Sequence, residues 1–514
     1  MKRYLLPTIA IMAGIGCSHS AAGITAWFAP SAWKVMREER PAARPPLRWE
    51  LTAARNEVEG CQLALLSTKL VKDATVTVSG LAGKKGRLEA SLFKVGYVPC
   101  RKEKILYPDP LAPLNEPFDL QPGQAQPVWI SVRVPKDAAP GVYRGKLKAR
   151  AGAWSAEFPL SIRVWDFALP DAPACQTAFG ISYDMAAEFE GVKLESAEGQ
   201  VMAKRYYEFM LDHRCSPNLL PIDLTSKEAI PYLENPRMTS FLIPIGGKTD
   251  DDLRALVRYL QAGGWFAKSY FYEVDEPITK KSFDALVAYT DRLRRIEPRY
   301  RAVTPFWGNP DWDPKLKATD VMLGRVNIWC PHYLYLDAFP GAREFLKVRR
   351  NAGEAYWWYI CNNPRRSMNN IQIDMPALRH RILFWQQKRE GIQGFLFWAI
   401  NYWNRQFIHD PWQDQDTLGD DLYGDGSLVY PGAKIGVPGP VGSLRMEVIR
   451  DGIEDFDALT LADEWLGPEI SMTYVTRIAR SLKDFEEDPA KFEAVRRELG
   501  AALEAAAVKV RKKL

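Results

Sequence analysis

After residue 22, short runs of alternating apolar and polar residues fill the first third of the chain, the pattern of strands with one buried face. Residues 74–78, 128–134, 146–150 and 158–164 are read as such strands. Pro122-Gly123 and Pro140-Gly141 mark turns, and the proline-rich stretch 108–117 predicts a long crossover loop. This spacing is that of a β-sandwich, and it ends near Pro170. From there apolar runs alternate with amphipathic stretches. Strands are expected at 178–182, 218–222, 241–245, 269–274, 302–306, 326–329, 355–360 and 395–400, with helices at 199–212, 250–261, 282–296, 341–351 and 375–388. Eight strands in that order predict a (β/α)8 TIM-like barrel with its chemistry at the strands' C-terminal ends. From residue 443 the spacing of Leu444, Val448, Asp451, Asp455, Leu459 and Ala462 is helical, and helix continues to about residue 512. The expected architecture is multidomain β and α/β: a signal peptide at 1–22, an accessory β-sandwich at 23–170, a catalytic (β/α)8 barrel at 171–410, and a C-terminal loop and helical region at 411–514.

Composition narrows the function. The 68 Lys and Arg nearly balance the 63 Asp and Glu, leaving +5. That is too even for a nucleic-acid binder. At 47% hydrophobic the chain can build cores for roughly three domains. Its 17 Trp serve either as sugar platforms or as core.

The chain opens with Lys2, Arg3 and a short apolar run to Gly16, an export signal too short to span a bilayer as a mature helix. Gly14-Ile15-Gly16-Cys17-Ser18 resembles a bacterial lipoprotein cleavage site, which would make Cys17 the lipidated N-terminus and anchor the protein in the cell envelope. Ordinary cleavage near residues 19–22 is the alternative, and it releases a periplasmic or secreted protein. Cys61, Cys100, Cys175, Cys215, Cys330 and Cys361 lack the close spacing of a zinc site or redox motif, so neither a metal nor a cofactor is expected.

The sharpest chemical signal is Tyr270-Phe271-Tyr272-Glu273-Val274-Asp275-Glu276-Pro277, two adjacent carboxylates at the predicted end of the fourth barrel strand. Pro277 is expected to hold Glu276 extended. In ordinary retaining glycoside hydrolysis Glu276 would be the acid/base and a second carboxylate, commonly on the seventh strand, the nucleophile. That strand ends in Ile360-Cys361-Asn362-Asn363, and Glu354 lies at its other end. In substrate-assisted hydrolysis the 2-acetamido oxygen of an N-acetylhexosamine is the nucleophile. One carboxylate then orients it while its neighbour moves the proton, roles that suit Asp275 and Glu276. A non-catalytic glycan-binding lipoprotein is a third reading, and it has no need of Glu276. Around the acids, Trp307, Trp329, Tyr333, Tyr359, Trp398, Asn401 and Trp403 at strand ends are candidate sugar-binding residues. Glu273 is expected to point inward as the buried partner of an arginine, and His332 to be structural.

The chain resembles glycoside hydrolase family 123 and its relatives grouped as domain of unknown function 4091. The likeness runs over nearly the whole mature chain. It is carried by Ala54-Arg55-Asn56-Glu57-Val58-Glu59 with Gln62, by Pro140-Gly141-Val142-Tyr143-Arg144-Gly145 and by Val274-Asp275-Glu276-Pro277. It is carried further by Asp425-Gly426-Ser427-Leu428-Val429-Tyr430-Pro431-Gly432, Ser443-Leu444-Arg445 and Ile449-Arg450-Asp451-Gly452-Ile453-Glu454-Asp455. The resemblance implies a β-N-acetylgalactosaminidase acting by substrate assistance on a glycan or glycoconjugate. It makes Asp275 the acetamide-orienting residue and Glu276 the acid/base. Arg445, Arg450, Asp451, Glu454 and Asp455 are read as a helix-borne ion-pair network.

Overall fold

The structure, a computed structural model, describes residues 23–100, 105–406, 408–419 and 422–511. The signal segment and Cys17 lie outside the described residues. Two sheets face each other in the N-terminal region. One runs Ile24–Pro30, Glu57–Ser67, Ala125–Val134, Ala90–Cys100, Ile105–Pro113. The other is built on Trp49–Arg55, Trp154–Ala168, Gly141–Ala151, Val71–Val78 and Phe118–Leu120. Strand Trp154–Ala168 alternates buried and exposed positions almost without fault, so Trp154, Phe158, Leu160 and Ile162 enter a common core with Leu63, Val128 and Ile130. The first part of the stretch expected as a crossover loop, residues 108–113, belongs instead to strand Ile105–Pro113, and only 114–117 are loop. The strand sits at a sheet edge, where proline's missing donor breaks no ladder.

In the central region five parallel strands lie in the order Gln176–Phe179, Gly394–Phe397, Ala355–Ile360, Ile328–Pro331, Val303–Phe306. Phe241–Leu242 pairs with Ser269–Tyr270. The remaining joints are thin: single bridges Phe179–Pro217 and Phe271–Ala302, and a 2.8 Å hydrogen bond from the Leu242 amide to the Asn218 carbonyl. The expected strand 218–222 does not form, because Pro217 and Pro221 remove ladder donors around it. A regular eight-stranded barrel is therefore not what the pairings describe; a five-stranded parallel sheet continues through short, weakly bonded segments. Side chains from these segments share one inner cluster, Ala178, Tyr270, Val303, Ile328, Cys330, Trp357, Tyr359 and Leu396. Period-two alternation sends Trp329, Tyr356, Trp358, Phe395 and Phe397 the other way, under the helices.

The helices Ala197–Asp212, Asp250–Ala262, Lys280–Ile296, Ala342–Asn351 and Ala377–Glu390 match their expected spans closely. Thr249 and Asp252 form a capping box that starts the second of them. The C-terminal helices are Leu444–Trp465, Pro468–Ile478 and Pro489–Arg511, and the first is buried along most of its length. The ionic network expected on it reaches well beyond one helix. Arg381 bonds Asp455 at 2.6 Å, Arg214 bonds Glu454 and Asp457 at 3.2 and 3.0 Å, and Arg496 joins Asp455 to Glu57 and Glu59 of the sandwich. Arg445 bonds Asp109 at 2.8 Å with both side chains fully buried, and Tyr430 donates to the same carboxylate at 2.6 Å. Removing one partner of such a pair strands a charge. Arg445→Ala is expected to cost about 3–5 kcal/mol, read as a fall in the urea midpoint.

Among the described residues no disulfide links the cysteines, no cluster of His, Cys, Asp or Glu is arranged to hold a metal ion, and no helix is long and apolar enough to cross a membrane.

Candidate active site

Strand Ser269–Tyr270 is followed by Phe271, which bridges to Ala302, and then by a loop that carries the acidic pair. The loop is pinned where the Glu276 amide donates to the Pro305 carbonyl at 3.1 Å. Glu276 is not extended, as Pro277 led one to expect, but has φ +41°. A non-glycine residue held there stores about 1–3 kcal/mol of backbone strain, a cost that concentrates at functional sites. Asp275 is exposed and Glu276 half-buried.

Each carboxylate has its own tyrosine. Tyr272 donates to Asp275 Oδ1 at 2.7 Å, and Tyr359 donates to Glu276 Oε1. Both tyrosines descend from the inner row of the sheet. Tyr359 is in the inner cluster and Tyr272 packs against it two residues beyond Tyr270. Behind Tyr359 the His332 ring lies edge-on at 5.0 Å. Its Nδ1 accepts from the Leu334 amide at 3.2 Å, which makes Nε2 the donor to the Asn363 carbonyl at 3.0 Å. Burial lowers the His332 pKa to about 4, so it is a neutral prop. It is structural, as expected.

Burial raises the Glu276 pKa, the Tyr359 hydrogen bond opposes that by favouring the carboxylate, and the negative Asp275 raises it further. A proton donor must be protonated, so if Glu276 has that role the alkaline limb of kcat/KM on a substrate with a poor leaving group is expected to follow this group. Asp275→Asn removes a raising influence and moves that limb to lower pH. Tyr359→Phe removes the lowering one and moves it to higher pH. Paired pH profiles of the two variants check the opposite signs.

The remaining candidates divide. Trp398 is half-buried at the end of strand Gly394–Phe397, with Tyr402 at 5.0 Å and its indole N–H donated to Asp425 Oδ1 at 2.9 Å. Gly426 passes so close to its ring that a Cβ there would lie 2.1 Å from Cζ2, and its φ of +69° also favours glycine. Trp307, 51% exposed, follows strand Val303–Phe306 just after the carbonyl that anchors Glu276. Tyr359 binds the acid itself. Four other residues are corrected to core roles. Trp329 falls on the outer face, packed on Phe345 and bonded to Glu354 at 2.5 Å. Tyr333 donates to Gln386 and to the Leu482 carbonyl, both at 2.9 Å. Asn401 pairs with both backbone groups of Ser182, and Trp403 donates to Ser427 at 3.0 Å. All four have zero exposure and no face left for a sugar. Glu273 is exposed rather than buried against an arginine.

Sequence reasoning missed Tyr272 and Asp425. Tyr272 was within reach, since it shares strand parity with Tyr270. Asp425 is 27 residues from the indole it holds, and nothing local signals that contact.

Residues 249–462 match the glycoside hydrolase 123 catalytic domain, and residues 33–151 match the glycoside hydrolase 123 N-terminal domain. A family 123 glycoside hydrolase from Clostridium perfringens, whose structure details glycolipid glycan hydrolysis, is similar with a TM-score of 0.71. The match covers 96% of this chain and 100% of that one at 13% identity, a likeness of fold. β-Glucuronidases from Bacteroides uniformis and Parabacteroides merdae align at 10% identity with TM-scores of 0.29 and 0.28. They cover 79% and 75% of this chain and 51% and 49% of their own, too weak a likeness to bear on the fold. No curated protein matches the sequence. With the matched catalytic domain spanning the acidic pair and the fold shared from end to end, the chain belongs to glycoside hydrolase family 123.

Proposed function

We propose that this hydrolase removes terminal β-linked N-acetylhexosamine, with N-acetylgalactosamine preferred, by substrate-assisted catalysis with retention. The observation that carries the reading is the pair Asp275 and Glu276, neighbours in sequence but held by different tyrosines. Two adjacent, separately positioned carboxylates suit two simultaneous tasks. Protonated Glu276 gives its proton to the glycosidic oxygen as the acetamide oxygen attacks the anomeric carbon and the glycosidic bond breaks. The Asp275 carboxylate, fixed by Tyr272, holds the acetamide N–H and balances the positive charge of the oxazolinium ion. Glu276, now ionised, takes a proton from water as it opens that ring. An enzymic nucleophile is not needed. Strand Ala355–Ile360 runs into Cys361 and Asn362, while Glu354 at its start is held by Arg349 and Trp329.

Trp398, braced by Asp425 and Gly426, suits a sugar platform, with Trp307 at the rim. The preference for the galacto configuration rests on the family resemblance, and glycolipid glycans are a reasonable source given the Clostridium perfringens relative. The export signal and Cys17 extend the proposal to an enzyme of the cell envelope, anchored by lipid. Turnover of aryl β-N-acetylgalactosaminide above the gluco epimer is the expected result of a glycoside screen. Turnover of neither overturns the reading.

A further inference from the structure

We propose that a second binding site lies at the opposite end of the central strands, a cavity of about 670 Å³ that takes a small sugar carrying a sulfate or phosphate ester. Its size is within the range of small-molecule sites, about 300–1,000 Å³. Tyr356, near the start of the strand whose far end carries Tyr359, lines it, as do Gly391, Ile392 and Gln393, which lead into strand Gly394–Phe397. The site is thus remote from Asp275 and Glu276 and independent of their assigned roles.

Charge points to an anion. Five cations line the cavity against two carboxylates, Glu390 and Asp463. Three of the cations are committed: Arg343 bonds Asp337 and Glu390 at 2.7 and 2.8 Å, Lys388 bonds Asp463 at 2.7 Å, and Arg389 bonds Glu390 at 2.8 Å. Among the described residues Lys347 and Arg350 have no carboxylate partner, and Arg350 donates only to the Gly391 carbonyl at 2.9 Å.

A second observation stands apart from charge. Tyr356 is 3% exposed, yet its hydroxyl has no hydrogen-bond partner. A buried donor left unpaired pays its full desolvation cost, so a ligand oxygen there gains more than it would from an exposed group. Two cations without carboxylate partners and one buried phenol suit a tetrahedral oxyanion. Met472 and the edge of Phe456 add apolar lining beside these polar groups.

The test is calorimetric titration of the full chain, at constant ionic strength, with N-acetylgalactosamine 6-sulfate, glucose 6-phosphate, inorganic sulfate and inorganic phosphate. None has a glycosidic bond to cleave, so failure here is distinct from failure of the catalytic reading. At least one sugar ester is expected to bind saturably and more tightly than its inorganic ion, and the better ester identifies the source. Lys347→Ala, at an exposed helix position, and Arg350→Ala should each weaken binding at least tenfold. Tyr356→Phe should weaken it without lowering Tm, since no protein partner is lost. Glu276→Gln should leave it unchanged. The proposal is overturned if no ester binds, if the inorganic ions bind as tightly as the esters, if binding survives both cation substitutions, or if Glu276→Gln abolishes it.

Discussion

On the proposed function, Glu276→Gln is expected to lower kcat/KM on β-N-acetylhexosaminides with poor leaving groups by about 10²–10⁴, the usual contribution of a positioned proton donor. The substitution keeps the side chain's shape, and its carbonyl oxygen can still accept from Tyr359. What disappears is the proton given to the departing oxygen and the base that later takes one from water. An activated aryl glycoside needs little help in leaving, so its first step is spared and the second becomes limiting. Burst kinetics on that substrate, with a slow steady state, are the expected signature. An equal loss on both substrate classes would make Glu276 a structural group, and its strained backbone would then have no catalytic meaning.

The second large effect separates internal from enzymic nucleophiles. A thiazoline analogue of the oxazoline intermediate is expected to bind more tightly than substrate by at least about 10², the lower bound typical of mimics of a high-energy species. Asp275→Asn should erase most of that advantage, because the charge that balances the cyclised cation is gone. The simple β-galactoside, with a hydroxyl where the acetamide would be, should be almost inert. It lacks a neighbour whose effective concentration in well-oriented systems reaches about 10⁵–10⁸ M. Efficient β-galactoside cleavage, or a sugar trapped covalently on a carboxylate, sinks this mechanism and restores the two-carboxylate one. Tyr272→Phe offers a milder check: Asp275 stays charged but loses its 2.7 Å restraint, so thiazoline affinity falls less than in Asp275→Asn.

Local information decided much of what is seen. Helix Asp250–Ala262 was legible to within a residue because Thr249, Asp252 and the Gly263-Gly264 pair write its ends into the chain. The alternation of Trp154–Ala168 declared a half-buried strand, and the acidic pair was visible as chemistry at a strand end. The limits were equally physical. A run of apolar residues predicts a strand but not whether its neighbours can bond to it, and Pro217 and Pro221 left 218–222 without a ladder. Aromatic residues near strand ends all read alike until parity was fixed by pairing. Trp329 then turned outward onto Phe345, while Tyr359 turned inward onto Glu276. The charged residues of Leu444–Trp465 announced a network, yet its partners Glu57, Glu59, Asp109, Arg214 and Arg381 come from almost every part of the chain.

By itself, then, the sequence determined the order of β-rich, α/β and helical regions, and the presence of Asp275 beside Glu276, because periodicity, caps and composition act over a few residues. Only the tertiary structure decided which tyrosine restrains which carboxylate, that Asp425 holds Trp398, that Glu276 sits at φ +41°, and that four of the candidate sugar residues are core. Tyr359 and Glu276 are 83 positions apart and Asp425 and Trp398 are 27 apart, while the core roles depend on which face of a strand its neighbours cover, and these are set by long-range packing rather than by anything written locally in the chain.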